Sequence, residues 1–221
     1  MLKGWRDLIS SKKVDEGHVW DHVKPVLEAI RVSLPAYREL PVVDPSTRRP
    51  AVFEISSSRA VWEIPLSGGR ACFMRVDRTN FGNENQFVVF VRASDFYAIW
   101  RAVEYTKGRE EPDRPPELSR IPLDRKWGWQ AKCWAEGKSN PVPLANVTYH
   151  PDYGIGFNDG ITRTLWLLHN KAPIFPVLVR GQDSAFGLHE TVGDSDMACE
   201  SLEQLFVDFY PPQKSATEGT R

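Results

Sequence analysis

No uninterrupted apolar run in the chain approaches the roughly 20 residues that a membrane-spanning helix needs, so no transmembrane helix is expected. The opening stretch "MLKGWRDLISSKK" carries Asp7 and lacks a long apolar centre, which sets it apart from a signal peptide. Cysteine is scarce: Cys72, Cys133 and Cys199 are odd in number and far apart, which excludes a disulfide framework and a cysteine zinc site and suggests a reducing, cytoplasmic setting. There is no phosphate-binding loop of the Walker type, no Cys-x-x-Cys and no dinucleotide fingerprint, so energy-coupled, redox or metal chemistry has no visible seat, and no cofactor is expected. An excess of positive charge is also missing. The net charge is −1, which argues against a chain built to coat nucleic acid.

What remains is the profile of an ordinary globular protein, 221 residues with 41% hydrophobic and 26% charged side chains. Residues 17–32 set Val19, Val23, Val26, Leu27 and Ile30 along one helical face, interrupted by Pro25. From 51 to 93 the texture changes to short β-branched and aromatic runs, "AVFEIS", "AVWEIPL", "ACFMRV" and "QFVVFVRA". With Ser67-Gly68-Gly69 as a hairpin turn and "RTNFGNEN" as a longer loop, they read as an antiparallel meander. Ser94 is placed to cap a helix bearing Phe96, Ile99, Trp100 and Val103. The proline-rich, charged stretch 108–122 marks an internal boundary. After it come the tryptophan-dense "DRKWGWQAKCW", strands at "VPLANV" and "GIGF", a helix at "ITRTLWLLHN", a strand at "IFPVLV" and a final helix over 195–209. The expected class is α+β: a β-meander with flanking helices over 1–110, a strand–turn–helix–strand part over 120–210, and a disordered tail at 211–221, unless the two parts form one compact domain.

Within "GIGFNDGITRTLWLL" an apolar run stops at Asn158-Asp159-Gly160 and a helical pattern begins at once. Gly160 is free to take a positive φ there, and Asp159 or Thr162 is placed to cap the new helix. Arg163 falls in the first turn, where the helix dipole disfavours a cation unless an anion is close. That anion is either an external ligand held by the free N–H groups, or Asp159 itself.

The arrangement Asp-Gly-x-x-Arg, followed by a short helix and "IFPVLV", resembles the ParB/sulfiredoxin-type fold, which carries Asp-Gly-His-His-Arg or Gly-Gly-Cys-His-Arg at that turn and binds nucleotide phosphates there. The resemblance implies Asp159, Gly160, Thr162, Arg163 and Thr164 as phosphate-binding candidates. Ile161 and Thr162 stand where that group has its reactive Cys or His, so thiol chemistry has no carrier. A narrower resemblance, over roughly residues 140–193, is to the plasmid fertility inhibition factors, with Phe-x-Asp-Gly, Arg-Thr, a Trp-Leu-Leu helix and a Pro-Val strand. It implies a non-enzymatic inhibitor of conjugation acting on the type IV coupling protein of a co-resident plasmid. A ParB-like nuclease or nucleotidase is the alternative.

Two surfaces qualify for partner binding. From Gly181 to Gln213 there are seven carboxylates (Asp183, Glu190, Asp194, Asp196, Glu200, Glu203, Asp208) and no lysine or arginine. On a helix over 195–209, Ala198, Leu202, Leu205, Phe206 and Phe209 would face the core, leaving Asp196, Glu200 and Glu203 to steer a basic partner. Trp127 and Trp129 are the second candidates, because tryptophan anchors interfaces as readily as it fills cores. The five histidines form no catalytic or metal pattern: His18 and His22 read as solvated, and His150, His169 and His189 are scattered.

Overall fold

A computed structural model describes residues 40–79, 82–107, 126–151 and 154–209. The helix expected over 17–32, the boundary at 108–122 and the tail at 211–221 lie outside the described residues. Three strands, β1 (Ala51–Ile55), β2 (Arg59–Pro65) and β3 (Ala71–Asp77), form the expected antiparallel meander. Alternation sets the faces of β3. Ala60, Trp62 and Ile64 on β2 pair with Val76, Met74 and Cys72 on β3, and all six are buried. The β2–β3 hairpin closes through Gly68 and Gly69, both at φ 74°, a value open to glycine.

The fourth strand departs from the meander expected for it. β4 (Gln86–Arg92) leaves the first sheet and lies between two later strands in a second. Its run Phe87-Val88-Val89-Phe90-Val91 is buried throughout, with no polar face to turn to water. A strand apolar on both sides belongs in the middle of a covered sheet, and the absence of period-two alternation is the signal for it. β4 runs directly into α1 (Ala93–Lys107), so Ser94 lies inside the helix and does not precede it as a cap. Phe96 and Trp100 of α1 stack edge-on or tilted against Phe157, at 6.1 and 4.6 Å between ring centroids.

The remaining elements are α2 (Trp127–Ala135), β5 (Val142–Pro143), β6 (Ala145–His150), β7 (Gly154–Asp159), α3 (Ile161–His169), β8 (Ile174–Arg180), α4 (Gln182–Val192), β9 (Glu200–Ser201) and α5 (Leu202–Leu205). The stretch "VPLANV" is therefore two strands. β5 adds to the first sheet, order β1-β2-β3-β5, and β6 belongs to the second, order β7-β6-β8-β4-β9. β6 runs antiparallel to β7 and parallel to β8, with β7 and α3 forming the crossover. Trp62 of the first sheet meets Phe90 of the second edge-on at 6.0 Å, and one buried cluster spans both sheets. The protein is thus α+β, and none of its described helices is long and apolar enough to cross a membrane.

The helix expected over 195–209 is corrected. The long helix is α4, at 182–192, and of the later segment only Leu202–Leu205 is α-helical, followed by a 3₁₀ turn at Val207–Phe209. Ser201 starts α5 with a capping box: its hydroxyl accepts from Gln204 N at 3.1 Å, and Gln204 Oε1 accepts from Ser201 N at 3.1 Å. Upstream, Asp194 Oδ1 accepts from Asp196 N at 3.0 Å and bends the chain into a turn. Leu202 and Phe206 are buried as expected, whereas Ala198 and Phe209 are exposed. Gly187 concealed α4 from propensity reasoning. A Cβ there would stand 3.1 Å from the Tyr149 ring, so glycine permits close packing of α4 on β6.

The acidic segment is not left without a counter-charge. Arg49 reaches across the fold, its Nε 3.0 Å from Asp194 Oδ1 and its Nη2 2.5 Å from Asp196 Oδ2. The Asp194 side chain is 3% exposed, so this pair is desolvated on the carboxylate side. Removing one partner of a buried pair strands the other charge. Arg49→Ala is expected to lower unfolding stability by about 3 kcal/mol, read as a lower urea midpoint with an unchanged slope.

A second expectation concerns acid. Burial holds His189 below its ordinary pKa, with Glu190 and Asp194 acting in the opposite direction. The unfolded chain then binds a proton near pH 6.5 that the folded protein refuses, so this contribution to stability falls as pH drops below that value. A urea titration from pH 7.5 to 5 should show the loss, and His189→Gln should flatten it.

Candidate functional site

The strand-to-helix turn carries the polar groups singled out in the sequence. β7 ends at Asp159, and Gly160 turns the chain at φ 98°, ψ 14°. A Cβ on residue 160 would lie 2.6 Å from Ala145 Cα, so glycine is required both by conformation and by the close approach of β6. α3 starts without a side-chain cap; neither Asp159 nor Thr162 takes that role, because Gly160 occupies the cap position. Thr164 is buried, its N–H and hydroxyl both directed at Gly160 O, at 3.0 and 3.2 Å. Leu165, Leu167 and Leu168 fix the helix in the core.

Arg163 has three internal partners. Nη2 pairs with the Asp159 carboxylate, while Nη1 donates to Pro143 O at 2.9 Å and Leu144 O at 3.0 Å. The anion that the helix start demanded is therefore present in the chain itself. The guanidinium side chain is 13% exposed and the Asp159 side chain 75%. Those two carbonyls lie where the chain passes from β5 into β6, which is where it changes sheets. Arg75 holds the same segment from the other side: its guanidinium donates to Pro141 O, and its own carbonyl accepts from Leu144 N at 2.9 Å.

α2 closes over this turn. Trp134 stacks on Trp166 of α3 at 4.3 Å with the rings 13° from parallel, and Trp127 meets His169 edge-on at 4.9 Å. Burial and the nearby Lys171 both lower the pKa of His169, leaving the neutral ring favoured in that contact. Trp127 is thus a packing residue. Trp129, on another face of α2, is 67% exposed and borders a groove of about 690 Å³. That volume suits a small ligand or a few residues of peptide. Lys126, Gln130, Asn140, Phe157 and Thr162 also line it.

Asp159, Gly160, Thr162, Arg163 and Thr164 come together at one turn. Trp129 borders the same groove. Asp196, Glu200 and Glu203 do not join them: β7 and β9 are opposite edges of the second sheet, Glu200 lies in β9, and Asp196 and Glu203 flank it. Glu200 and Glu203 are exposed, while Asp196 is bound to Arg49. Sequence reasoning missed Gln130, a buried amide at i+3 from Trp127 and i−4 from Trp134. A polar residue on an apolar helical face was the available signal. Among the described residues no group of three or more His, Cys, Asp or Glu is arranged to hold a metal. The thiols are free; burial pushes Cys199 up to about 11 and Cys72 higher still.

Comparison with known proteins bears on this arrangement. Residues 88–193 match the family model described as plasmid fertility inhibition factor. Protein osa of Shigella flexneri is 33% identical over 147 residues, covering 65% of this chain and 74% of that protein. The chain belongs to the plasmid fertility inhibition factors. The crystal structure of the oncogenic suppression activity protein, itself titled a plasmid fertility inhibition factor, superposes with a TM-score of 0.65 at 28% identity, over 85% of this chain and 94% of that one. The region matched by the family model starts inside β4 and ends just after α4, so it takes in β6, β7 and β8, the turn and, apart from Arg75, the residues lining the groove.

The partners of Arg163 set an order on mutational costs. An exposed carboxylate contributes little, about 0–1 kcal/mol, whereas two main-chain carbonyls at a sheet crossing lose a charged donor. Asp159→Ala is expected to cost under about 1 kcal/mol and Arg163→Ala about 2 kcal/mol, with the double variant costing less than the sum of both. Gly160→Ala should cost at least about 2 kcal/mol from strain alone. Chemical denaturation of the four variants checks the series. An Asp159→Ala loss larger than that of Arg163→Ala would contradict it.

Proposed function

We propose that this fertility inhibition factor acts in the bacterial cytoplasm by binding the type IV coupling protein of a co-resident conjugative plasmid and blocking DNA transfer. The observation that carries the reading is the 33% identity to protein osa across three quarters of that protein's length. The turn is consistent with a non-catalytic role: Ile161 and Thr162 offer no thiol or imidazole, and Arg163 and Thr164 are committed to main-chain oxygens. In this reading the partner meets either the exposed Glu200 and Glu203 near β9 or the Trp129 side of α2. We further infer that the β7–α3–β8 crossover is a ParB/sulfiredoxin-like unit.

A second reading, a ParB-like nuclease or nucleotidase, is favoured by one feature. The first-turn N–H groups of α3 open onto a groove large enough for a nucleotide.

Two measurements separate the readings. Mating assays with donors carrying a second conjugative plasmid should show reduced transfer of that plasmid, and purified coupling protein should be retained by the immobilised inhibitor. Lysine at both Glu200 and Glu203 should slow association if the β9 edge steers the encounter, and leave it unchanged if the groove side does. ATP and DNA incubated with the protein and magnesium or manganese should show no turnover above background. Turnover abolished by Thr162→Val at unchanged melting temperature would transfer the protein to the enzyme class.

A further inference from the structure

The β9 edge of the second sheet, opposite the turn, is bordered by apolar groups that the core does not use. On α4, Asp183, Phe186 and Glu190 follow at spacings of three and four and form one outward stripe, and all three are exposed, Phe186 by 40%. The Phe186 ring meets that of Phe87 at 5.8 Å, and Phe87 lies opposite Ser201 of β9 in the ladder, so the stripe borders that edge. On the side of the first sheet, the chain after α5 leaves Val207 62% and Phe209 37% exposed, where Arg78, just past β3, donates to Phe209 O at 3.1 Å. Single exposed apolar residues are ordinary; several gathered along one edge mark a contact surface.

Backbone and charge select the occupant. β9 has two residues, and Ser201 N already donates to Gln204 Oε1 at 3.1 Å, so this edge offers another strand almost no ladder. Arg49 answers Asp194 and Asp196, whereas Asp183, Glu190, Glu200, Glu203 and Asp208 are exposed and form no ion pair among the described residues. Two cations border them: Arg78, turned to the carbonyls of Ser57 and Phe209, and Arg180 at the end of β8. Five carboxylates against two cations leave a net charge of −3. A second copy of the chain would set one such field against another. We propose that the β9 edge docks a basic helix of a partner protein, with lysine or arginine side chains against Asp183 and Glu190 and an apolar side chain between them covering Phe186. The proposal rests on the reading that inhibition runs through a protein partner, and it assigns that partner to the β9 edge and not to the Trp129 side of α2.

Its test follows association and dissociation of the intact coupling protein on the immobilised full chain. Phe186→Ala should speed dissociation about tenfold, the loss expected on truncating an interface anchor. Phe186→Leu, which keeps an apolar side chain on Phe87, should restore most of the binding. Asp183→Asn combined with Glu190→Lys should slow association about tenfold at low salt, and the difference from wild type should shrink as salt rises. The melting temperature of this charge variant should stay close to that of wild type, because both positions are exposed. Trp129→Ala should change neither rate. If the coupling protein binds wild type and every variant with equal rates, or only Trp129→Ala weakens binding, the edge assignment is overturned and the inhibitor reading stands. If wild type does not retain the coupling protein, both fall. A wild-type dimer in light scattering that Phe186→Ala dissociates would give this edge to a second copy and overturn the proposal.

Discussion

The guanidinium of Arg163 holds the point at which the two sheets become one structure. The chain passes from β5 to β6 at Leu144, and a strand that changes sheets must abandon one set of ladder partners before it meets the next. At that crossing Pro143 O and Leu144 O receive both their bonds from Arg163, Leu144 N donates to Arg75 O, and Pro141 O accepts from the Arg75 side chain. Main-chain groups that the sheets cannot satisfy are satisfied by two arginines. The cost is a cation in the first turn of α3, where the dipole disfavours it, and Asp159 at i−4 offsets that cost. The Asp-Gly-x-x-Arg spacing is therefore explained by architecture before any ligand is considered.

This has a consequence for reading such motifs. An arginine that binds a phosphate and one that staples a strand crossing occupy the same position in sequence, and only the partners of Nη1 distinguish them. The turn itself was legible: Asn-Asp-Gly set the break, the 3.6-residue period of Leu165 and Leu168 set the helix, and Arg163 demanded an anion that proved to be Asp159. The carbonyl partners were not legible, because they lie about twenty positions upstream and carry no side-chain signature. Local chemistry fixes which groups need partners. Tertiary approach decides which partners they receive.

The same division separates the elements foreseen from those misplaced. β3 alternates between buried and exposed positions, and Ser67-Gly68-Gly69 joins it to β2, so that pairing could be read directly. β4 does not alternate, and treating it as a fourth meander strand ignored what its continuous apolar run meant. The acidic segment was misread for a related reason. Seven carboxylates without a nearby base looked like an open field, yet Arg49, 145 residues from Asp194 in sequence, neutralises the buried member. Charge counted along the chain is a poor guide where folding brings distant segments together.

Once the arginines and the inner carboxylates are assigned to structure, few polar groups on this face lack a structural duty. Trp134 and Trp127 join α2 to α3 through Trp166 and His169, and so bring the remainder of α2 over the turn. Gln130 and Trp129 are carried there by that docking, one buried with an unpaired donor and the other exposed to water. Neither arrangement favours the isolated fold: an apolar residue at 130 and a polar one at 129 would serve it better. The helix α2 is thus fixed by two aromatic contacts, and Gln130 and Trp129 are residues of it that those contacts do not use.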